Sequence, residues 1–177
     1  MSAGSLIKIR ESTEKDFQSL MEIAVAKLGV DFATYEQFYE RGSISLVAEC
    51  DNKVVAYGTA AIISEEVHPE LAEYMSGKTG MLCTVAVANG YEGRGIASRL
   101  ADERLQKLKS MGCDTILVTA WRSQTHGIHV EKILDRLGFE IVEELSEYWK
   151  GYSCSHCGEN NCTCDAVIFR LEVDQSM

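Results

Sequence analysis

Hydrophobic residues recur with two different periods along the chain, and these periods predict a mixture of strands and helices. In residues 5–11, Ile7 and Ile9 alternate with charged residues, a period of two that is typical of a strand. In residues 17–28, apolar residues instead recur every three or four positions, and Gly29 follows them. This second pattern predicts a helix that ends at the glycine.

The same two periods predict the elements of the rest of the chain. We expect helices over residues 32–40, 93–111 and 127–137, and strands over residues 44–50, 53–63, 81–88, 115–120, 139–145 and 166–173. Residues 65–77 fit neither period, although His68-Pro69 indicates a helical turn. Because strands and helices alternate in the second half, we expect an α/β fold with a mixed sheet rather than a helical bundle or a sandwich.

Length and composition are those of one globular domain. The chain has 177 residues, of which 46% are apolar and 25% are charged, a balance typical of a protein with a buried core. We therefore treat residues 1–177 as a single domain. A cysteine-rich loop, residues 151–165, is inserted before the last predicted strand.

The acidic charge excludes several classes of partner. Lys and Arg number 17 against 27 Asp and Glu, which gives a net charge of −10. A field of this sign repels nucleic acid and anionic membranes. No apolar run approaches the roughly 18–20 residues needed to cross a bilayer, and the first ten residues lack the pattern of a secretory signal. We expect a cytoplasmic protein that binds neither nucleic acid nor membrane.

A glycine-rich turn leads from a predicted strand directly into a long amphipathic helix. The turn and the first helical residues read Glu92-Gly93-Arg94-Gly95-Ile96-Ala97-Ser98. Unpaired N–H groups at a helix start favour an anion, and small residues let its backbone approach one closely. The spacing matches neither a Rossmann loop nor a Walker loop. The alternative is a tight connection whose glycines serve packing alone.

This stretch resembles the GNAT superfamily of N-acetyltransferases, whose motif reads Gln/Arg-x-x-Gly-x-Gly/Ala and is occupied here by residues 92–97. Val85-Ala86-Val87 is similar to the family's strand that pairs with the pantetheine arm of acetyl-CoA, and Leu137-Gly138-Phe139 to the segment that closes its fourth helix. The order of predicted elements agrees over nearly the whole chain. The resemblance implies a mixed, mostly antiparallel sheet of six to seven strands with flanking helices, splayed between strands 4 and 5.

The resemblance also implies an activity and a cofactor site. The activity is acetyl transfer from acetyl-CoA to an amine, by direct attack of the amine on the thioester. The backbone N–H of Val87 would polarise the thioester oxygen. The cofactor residues implied are Val85, Ala86 and Val87 along the pantetheine, and Gly93, Arg94, Gly95, Ile96, Ala97 and Ser98 around the pyrophosphate.

Three positions depart from the family pattern. Glu92 places a carboxylate beside the expected pyrophosphate, which is unfavourable unless the side chain turns outward. Gly127 stands where the family has Asn, and Leu134 where it has the Tyr that protonates the departing thiolate. The proton carriers must therefore lie elsewhere in this chain.

Several side chains remain as candidate proton carriers. They are Tyr152, His126 and Glu49, together with His129 and Tyr148. Tyr152 is the preferred acid, because the loop after the sixth strand approaches the cofactor sulfur in the family's fold. Each candidate also has a purely structural explanation. The histidines could be solvated or could cap a helix, and the aromatic residues could pack against the sheet.

Four cysteines fall within eleven residues in a C-x2-C-x4-C-x-C arrangement. Cys154, Cys157, Cys162 and Cys164 present the four thiolates that suit tetrahedral zinc. Four ligands leave no open position, so such a zinc would be structural. A reducing compartment disfavours permanent disulfides, whereas an iron–sulfur cluster and a redox switch remain alternatives.

Two hypotheses of different class follow. The first is an acetyl-CoA-dependent N-acetyltransferase that acts on a small amine or a peptide amine. The second is a non-catalytic acyl-CoA-binding module whose cysteine-rich loop holds zinc or senses redox state. The acceptor pocket is built from separate loops and cannot be read from the sequence, and exposed strand edges leave a homodimer open.

Overall fold

Eight strands form one mixed sheet in the computed structural model, which describes residues 6–32, 34–40, 42–123, 127–128, 130–152, 154, 157 and 161–174. The strands are β1 (Ile7–Glu11), β2 (Ser43–Cys50), β3 (Lys53–Ile63), β4 (Thr79–Val87), β5 (Thr115–Ser123), β6 (Gly127–Ile128), β7 (Glu140–Leu145) and β8 (Asp165–Glu172). Their order is β1-β2-β3-β4-β5-β8-β7, and the two-residue β6 pairs with β5. Among the strands in these described ranges, only β4 and β5 pair in parallel. The predicted mixed and mostly antiparallel sheet is confirmed.

Helices cover both faces of this sheet. They are α1 (Phe17–Lys27), α2 (Tyr35–Tyr39), α3 (Ile96–Ser110) and α4 (Glu131–Arg136), and 3-10 turns lie at Glu14–Asp16, Val30–Phe32 and Pro69–Tyr74. Within the described ranges, no helix has both the length and the apolar character needed to cross a membrane.

The alternation within β2 decides which helix packs on which face. Val47 belongs to a core with α1 and α2, whereas its neighbours Leu46 and Ala48 belong to a core with Ile96 and Leu100 of α3. Successive side chains of a strand point to opposite faces, so a continuous apolar run such as β2 is covered on both sides. The C-terminal half of α3 packs with α4, β5 and β8 in a third core.

The predicted order of elements is confirmed apart from the additional two-residue β6, but three helices begin later than predicted. The helix predicted over residues 32–40 begins at Tyr35, with Thr34 as its N-cap. The helix predicted over residues 127–137 begins only at Glu131, because Gly127 and Ile128 pair with Ser123 and Arg122 as a short strand. The helix predicted from residue 93 begins at Ile96, since Gly93 and Gly95 have positive φ angles. The helical spacing of apolar residues continues upstream of Ile96 and Glu131. The sequence pattern alone therefore does not show where these two helices begin.

Candidate active site

The sheet opens where β4 and β5 diverge. These two strands pair only between Thr79–Met81 and residues 115–117. Beyond that point a cavity of about 520 Å³ separates them. Its walls come from both strands, α3, α4, the end of α1 and the β7–β8 connection. The lining residues that bear on the chemistry are Lys27, Phe32, Cys83, Val85, Ala86, Val87, Glu92, Ala97, Arg104, Trp121, Leu134 and Trp149.

One edge of β4 has its backbone free for a ligand. Val85, Ala86 and Val87 are in register with residues 56–58 of β3, and β5 no longer accompanies them. Ala88 donates its N–H to the oxygen of Val55 at 2.8 Å. Since neighbouring residues of a strand direct their N–H groups to opposite edges, the N–H of Val87 is directed away from β3 and towards the cavity.

The turn after β4 exposes the start of α3. Gly93 and Gly95 have φ angles of +73° and +72°, which L side chains rarely adopt, and a Cβ at either position would meet no atom within 4 Å. The glycines are therefore required by backbone conformation rather than by crowding. The helical bonds begin with Arg99, whose N–H donates to the oxygen of Gly95 at 3.1 Å. The N–H groups of residues 96–98 precede that bond and remain available to an anion.

The carboxylate of Glu92 is neutralised by Lys27, a partner that the sequence pattern did not reveal. Lys27 Nζ donates to Glu92 Oε1 at 2.6 Å and to Asn89 Oδ1 at the same distance. The other carboxylate oxygen accepts the N–H of Gly90 at 2.7 Å. The bond from Lys27 is the main cause that lowers the pKa of Glu92 to about 2. Arg94 lies over the ring of Tyr91 at 5.0 Å and donates to the oxygen of Gly90.

A buried arginine supports the register shift between β3 and β4. Arg104 is only 3% exposed and donates from Nη1 to the carbonyl oxygens of Thr59 at 2.7 Å and Thr84 at 2.9 Å. The pairing of β3 with β4 shifts register at this point, and the guanidinium satisfies the carbonyls that the shift leaves without ladder partners. A Cβ on Gly58 would lie 2.7 Å from Arg104 Nε, so that glycine makes room for it. Burial lowers the pKa of Arg104 to about 10, and the side chain remains charged at neutral pH.

Sequence reasoning missed Arg104, although a signal was present. It follows Leu100 by four residues and precedes Leu105, so it lies within the apolar stripe of α3. Cys83 faces the same cavity. Burial raises the pKa of its thiol to about 11, which keeps it protonated and makes it a poor nucleophile.

Four aromatic side chains, Phe32, Trp121, Trp149 and Tyr152, form what we call the aromatic wall. Ring centroids lie 5.5 Å apart for Phe32 and Trp121, 5.4 Å for Trp121 and Trp149, and 6.0 Å for Phe32 and Tyr152. Three segments meet here: the α1–α2 connection, the end of β5 and the β7–β8 connection. Phe32 and both tryptophans line the cavity.

The structure separates the candidate proton carriers. Tyr152 stacks on Phe32 in the aromatic wall and is 45% exposed, whereas His126 and His129 lie outside the described residues. Tyr148 donates its hydroxyl to Glu70 at 3.1 Å, and burial is the main cause that raises its pKa to about 12. Leu134 lines the cavity and is 3% exposed, so an apolar side chain occupies the position that aligns with the family's tyrosine.

Glu49, one of the predicted proton carriers, is not among the residues that line the cavity. It lies on β2, opposite Lys8 of β1. Arg10 donates to Glu49 Oε2 at 2.8 Å and to both carboxylate oxygens of Asp16. Glu49 therefore serves an ion-pair network that ties β1 to β2 and to the start of α1.

Cys154, Cys157, Cys162 and Cys164, which we call the cysteine cluster, bring four sulfur atoms within 4.8 Å of one another. The Sγ atoms of Cys154 and Cys164 are 3.9 Å apart, and those of Cys157 and Cys164 are 3.4 Å apart. The backbone N–H of Cys157 donates to Cys154 Sγ at 3.3 Å. Cys157 is exposed and the other three are buried.

These distances fit a single tetrahedral metal ion. Zinc–sulfur bonds of about 2.3 Å place tetrahedral ligands about 3.8 Å apart, close to the two separations given above. In an iron–sulfur cluster with several irons the four cysteines do not share one iron, and their sulfurs lie further apart. Hydrogen bonds, first from the backbone N–H of Thr163 and then with Cys164, lower the pKa of Cys157 to about 7.

Comparison with known proteins points to one family. The Acetyltransferase (GNAT) family model matches residues 8–154, whereas no curated protein matches the sequence. Among solved structures, Arabidopsis thaliana NAA60 in complex with a bisubstrate analogue superimposes with a TM-score of 0.74 at 17% identity, over 97% of this chain and all of that one.

Two further structures show the same fold. The ribosomal-protein-S18-alanine N-acetyltransferase from Escherichia coli gives a TM-score of 0.69 at 14% identity, over 97% of this chain and 99% of that one. A chain of the NatC complex bound to Gag peptide and CoA gives 0.68 at 18% identity, over 93% and 98%. At these identities the likeness establishes the fold and does not assign a substrate.

Proposed function

Because the chain belongs to the acetyltransferase (GNAT) family, we propose that it is an acetyl-CoA-dependent N-acetyltransferase that transfers the acetyl group by direct attack of an amine. The observation that carries this proposal is the cavity at the divergence of β4 and β5, where a free backbone edge leads into the start of α3. An extended amide-containing arm suits the first feature, and a pyrophosphate suits the second.

Two stretches of this chain would hold acetyl-CoA. Its pyrophosphate would accept hydrogen bonds from the turn and the first turn of α3, residues Gly93, Arg94, Gly95, Ile96, Ala97 and Ser98. Its pantetheine arm would pair with Val85, Ala86 and Val87. The ion pair between Lys27 and Glu92 supports this placement, because it offsets the charge of a carboxylate next to the phosphates.

Residues of this chain would assist two parts of the transfer. The neutral amine nitrogen attacks the thioester carbon, the C–N bond forms, and the C–S bond breaks as CoA leaves as a thiolate. The N–H of Val87 would donate to the thioester oxygen as negative charge develops there. The hydroxyl of Tyr152 would give the thiolate its proton, and the amine must lose one proton to solvent or to a base such as His126.

The acceptor class that we propose is a primary amine of a peptide or of a small molecule. The NatC structure contains a peptide, and the name of the Escherichia coli enzyme specifies an alanine of a ribosomal protein. The α-amine of a peptide or protein is cationic when protonated. The net charge of −10 on this chain favours cationic acceptors over anionic ones.

A specific observation also favours a second function, an acyl-CoA-binding module without catalysis. Leu134 supplies no proton where the family has a tyrosine, and its side chain faces the cavity. Incubation with acetyl-CoA and a panel of small amines and peptides, with mass spectrometry of the products, separates the two functions. An acetylated amine establishes the enzyme, whereas acetyl-CoA binding with no product on any amine establishes the module.

The role of Tyr152 has its own test in the same assay. Tyr152→Phe keeps the ring that stacks on Phe32 and removes only the hydroxyl. We expect kcat to fall at least about tenfold with little change in KM, because proton transfer contributes on the order of 10²-fold or more. An unchanged kcat would exclude Tyr152 as the acid. Tyr35→Phe, which removes a hydroxyl that donates to Glu14 and does not belong to the aromatic wall, is the control.

We also propose that the cysteine cluster binds one structural zinc ion through Cys154, Cys157, Cys162 and Cys164. With four protein ligands the metal has no open position, and it would crosslink the β7–β8 connection. Elemental analysis should give about one zinc per chain, and acid should release it because thiolates are required. Cys157→Ser should lower the zinc content, whereas Cys50→Ala, outside the cluster, should not. Stoichiometric iron or a pair of disulfides in the purified protein would replace the zinc proposal.

A further inference from the structure

We infer that the cysteine cluster positions the aromatic wall, so that metal occupancy sets the shape of one end of the cavity and leaves the other end unchanged. The aromatic end is formed by the aromatic wall. The cofactor end is formed by β4 and the turn of residues 89–95. This inference rests on the proposed function for its consequence in catalysis, whereas its structural content is tested separately.

The two tryptophans of the aromatic wall have a second neighbour behind them. Trp121 and Trp149 line the cavity, and both pack against Cys154, Cys162 and Cys164. The wall is therefore only one side chain thick between the cavity and the sulfur atoms. If the distances between the sulfur atoms change, the indole rings of Trp121 and Trp149 must move.

Side-chain packing and a strand pair fix Trp121 to the cluster. Its indole packs against the group formed by Cys154, Cys162 and Cys164. Trp121 is also in register with Ala166 of β8, two residues beyond Cys164. Residues that surround metal ligands help to orient those ligands and tune the site, and the strand pairing carries the same constraint through the backbone.

The segment that carries Trp149 and Tyr152 is fixed at its start and stacked at its end. Glu147 donates its N–H to Asp165 Oδ1 at 3.1 Å, next to Cys164 in the chain. Tyr152 then lies two residues before Cys154 and stacks on Phe32. A metal that holds Cys154 and Cys164 together would hold both ends of this segment.

The cofactor end does not share these supports. Its backbone is held by β3, by Arg104 and by the pair of Lys27 with Glu92. None of the four cluster cysteines lines the described part of the cavity. Loss of the metal should therefore loosen the aromatic end while the site for acetyl-CoA persists.

The chain provides its own reporter for this test. It has two tryptophans, and both are in the aromatic wall, so the emission spectrum and its quenching by acrylamide report on the wall alone. Zinc-loaded protein is treated with a chelator, and acetyl-CoA binding is measured by calorimetry on the same samples. We expect red-shifted emission and at least about twofold stronger quenching, an acetyl-CoA Kd within about twofold of its starting value, and recovery when Zn²⁺ is added back.

Trp121→Phe is the variant that separates positioning from mere folding. It keeps an aromatic ring in the wall but removes part of the indole that packs against the cysteine cluster. We expect zinc affinity to fall by up to about tenfold and the quenching of Trp149 to rise, with acetyl-CoA affinity retained. Cys50→Ala, which removes a thiol outside the cluster, should match the parent in all three measurements.

Each outcome decides the inference. Unchanged emission and quenching after verified metal removal would overturn it, as would a loss of acetyl-CoA affinity as large as the change in the wall, since that would indicate general unfolding. Purified protein without any bound metal would overturn it too. Failure of the proposed acetyl transfer is a separate result, seen as no acetylated amine while the emission still responds to Zn²⁺.

Discussion

The cofactor end and the aromatic end of the cavity are held by different kinds of interaction. The cofactor end depends on backbone conformation, with positive φ angles at Gly93 and Gly95 and an exposed ion pair. The aromatic end depends on side chains from three distant segments that pack on one another and on sulfur atoms. The first is specified locally, whereas the second exists only when distant parts of the chain have come together.

This difference suggests how each end responds to change. A local backbone requirement is sensitive to one substitution in the turn and insensitive to events elsewhere. A wall assembled from distant segments is sensitive to whatever holds those segments, and here that is the cysteine cluster. Substitutions that affect one end alone therefore test whether the two ends are independent.

The largest effect is expected at Arg104, which supports the cofactor end from inside the core. Arg104→Met leaves the carbonyl groups of Thr59 and Thr84 without their donor in a buried setting. We expect the free energy of unfolding to fall by about 2–4 kcal/mol, since each unsatisfied buried polar group costs about 1–3 kcal/mol. Urea unfolding measures this loss.

Lys109→Met is the matched control for this substitution. Lys109 is an exposed cation on the same helix, and its replacement should change stability by no more than about 0.5 kcal/mol. If Arg104→Met is as stable as the parent, the guanidinium does not stabilise the register shift between β3 and β4. The metal content of Arg104→Met should remain that of the parent if the two ends are independent.

The second effect concerns binding at the cofactor end. Gly95→Val places a β-branched residue at φ +72°, beside the expected pyrophosphate. We expect acetyl-CoA affinity to fall at least about 30-fold, because left-handed backbone costs a non-glycine residue about 1–2 kcal/mol and the side chain also blocks the anion. Calorimetry measures the affinity, and tryptophan emission should not change.

Gly112→Val separates the strain from the loss of binding. Gly112 also has a positive φ, +80°, with no atom within 4 Å of a built Cβ, and it follows the other end of α3. The control should show the same strain with parental acetyl-CoA affinity. Equal affinity in both variants would remove the pyrophosphate from the start of α3.

The same contrast explains how much could be predicted from the sequence. The turn of residues 92–97 and the strand of residues 85–87 are contiguous, and each carries its own signal in glycine spacing and alternation. The order of strands and helices could be predicted for the same reason. The four cysteines were also found by spacing, because their partners lie within eleven residues.

Contacts between distant residues could not be predicted in this way. Phe32, Trp121 and Trp149 are far apart in the sequence, and nothing local indicates that their rings meet. The neutralisation of Glu92 by Lys27 spans 65 residues. The pairing of Glu49 with Arg10 on a neighbouring strand is another such contact, and no local signal in the sequence indicates it.

A smaller effect is expected at Asp16, which lies in the ion-pair network outside both ends. The hydrogen bond from Arg10 is the main cause that lowers the pKa of Asp16 to about 2. A carboxyl group whose pKa is lower in the folded state stabilises the fold above its unfolded pKa of about 4, and this contribution is lost as the pH falls through about 2. We expect about 1 kcal/mol, less than the shift alone suggests, because 29% of the Arg10 side chain remains exposed.

Asp16→Asn measures that contribution. The variant should be less stable than the parent at pH 7 by about 1 kcal/mol, and the two should converge as the pH is lowered towards 2. Asp102→Asn, which alters an exposed pair with Arg136, is the control and should change little. A constant difference between parent and Asp16→Asn at every pH would contradict the assigned cause. Acetyl-CoA affinity and tryptophan emission at pH 7 should stay at parental values.

The smallest effect tests the charge balance within the cofactor end. Lys27→Met removes the cation that pairs with Glu92, so an unpaired carboxylate would face the phosphates of acetyl-CoA. We expect affinity to fall about three- to fivefold at low ionic strength and less at high salt, since exposed charges are screened. Adding Glu92→Gln to the same chain should restore most of the affinity, because the repulsion is then gone. If the double variant binds as weakly as Lys27→Met alone, Lys27 contacts the phosphates directly instead of neutralising Glu92. In either case the emission of Trp121 and Trp149 should not move, because this ion pair belongs to the end of the cavity that the cysteine cluster does not support.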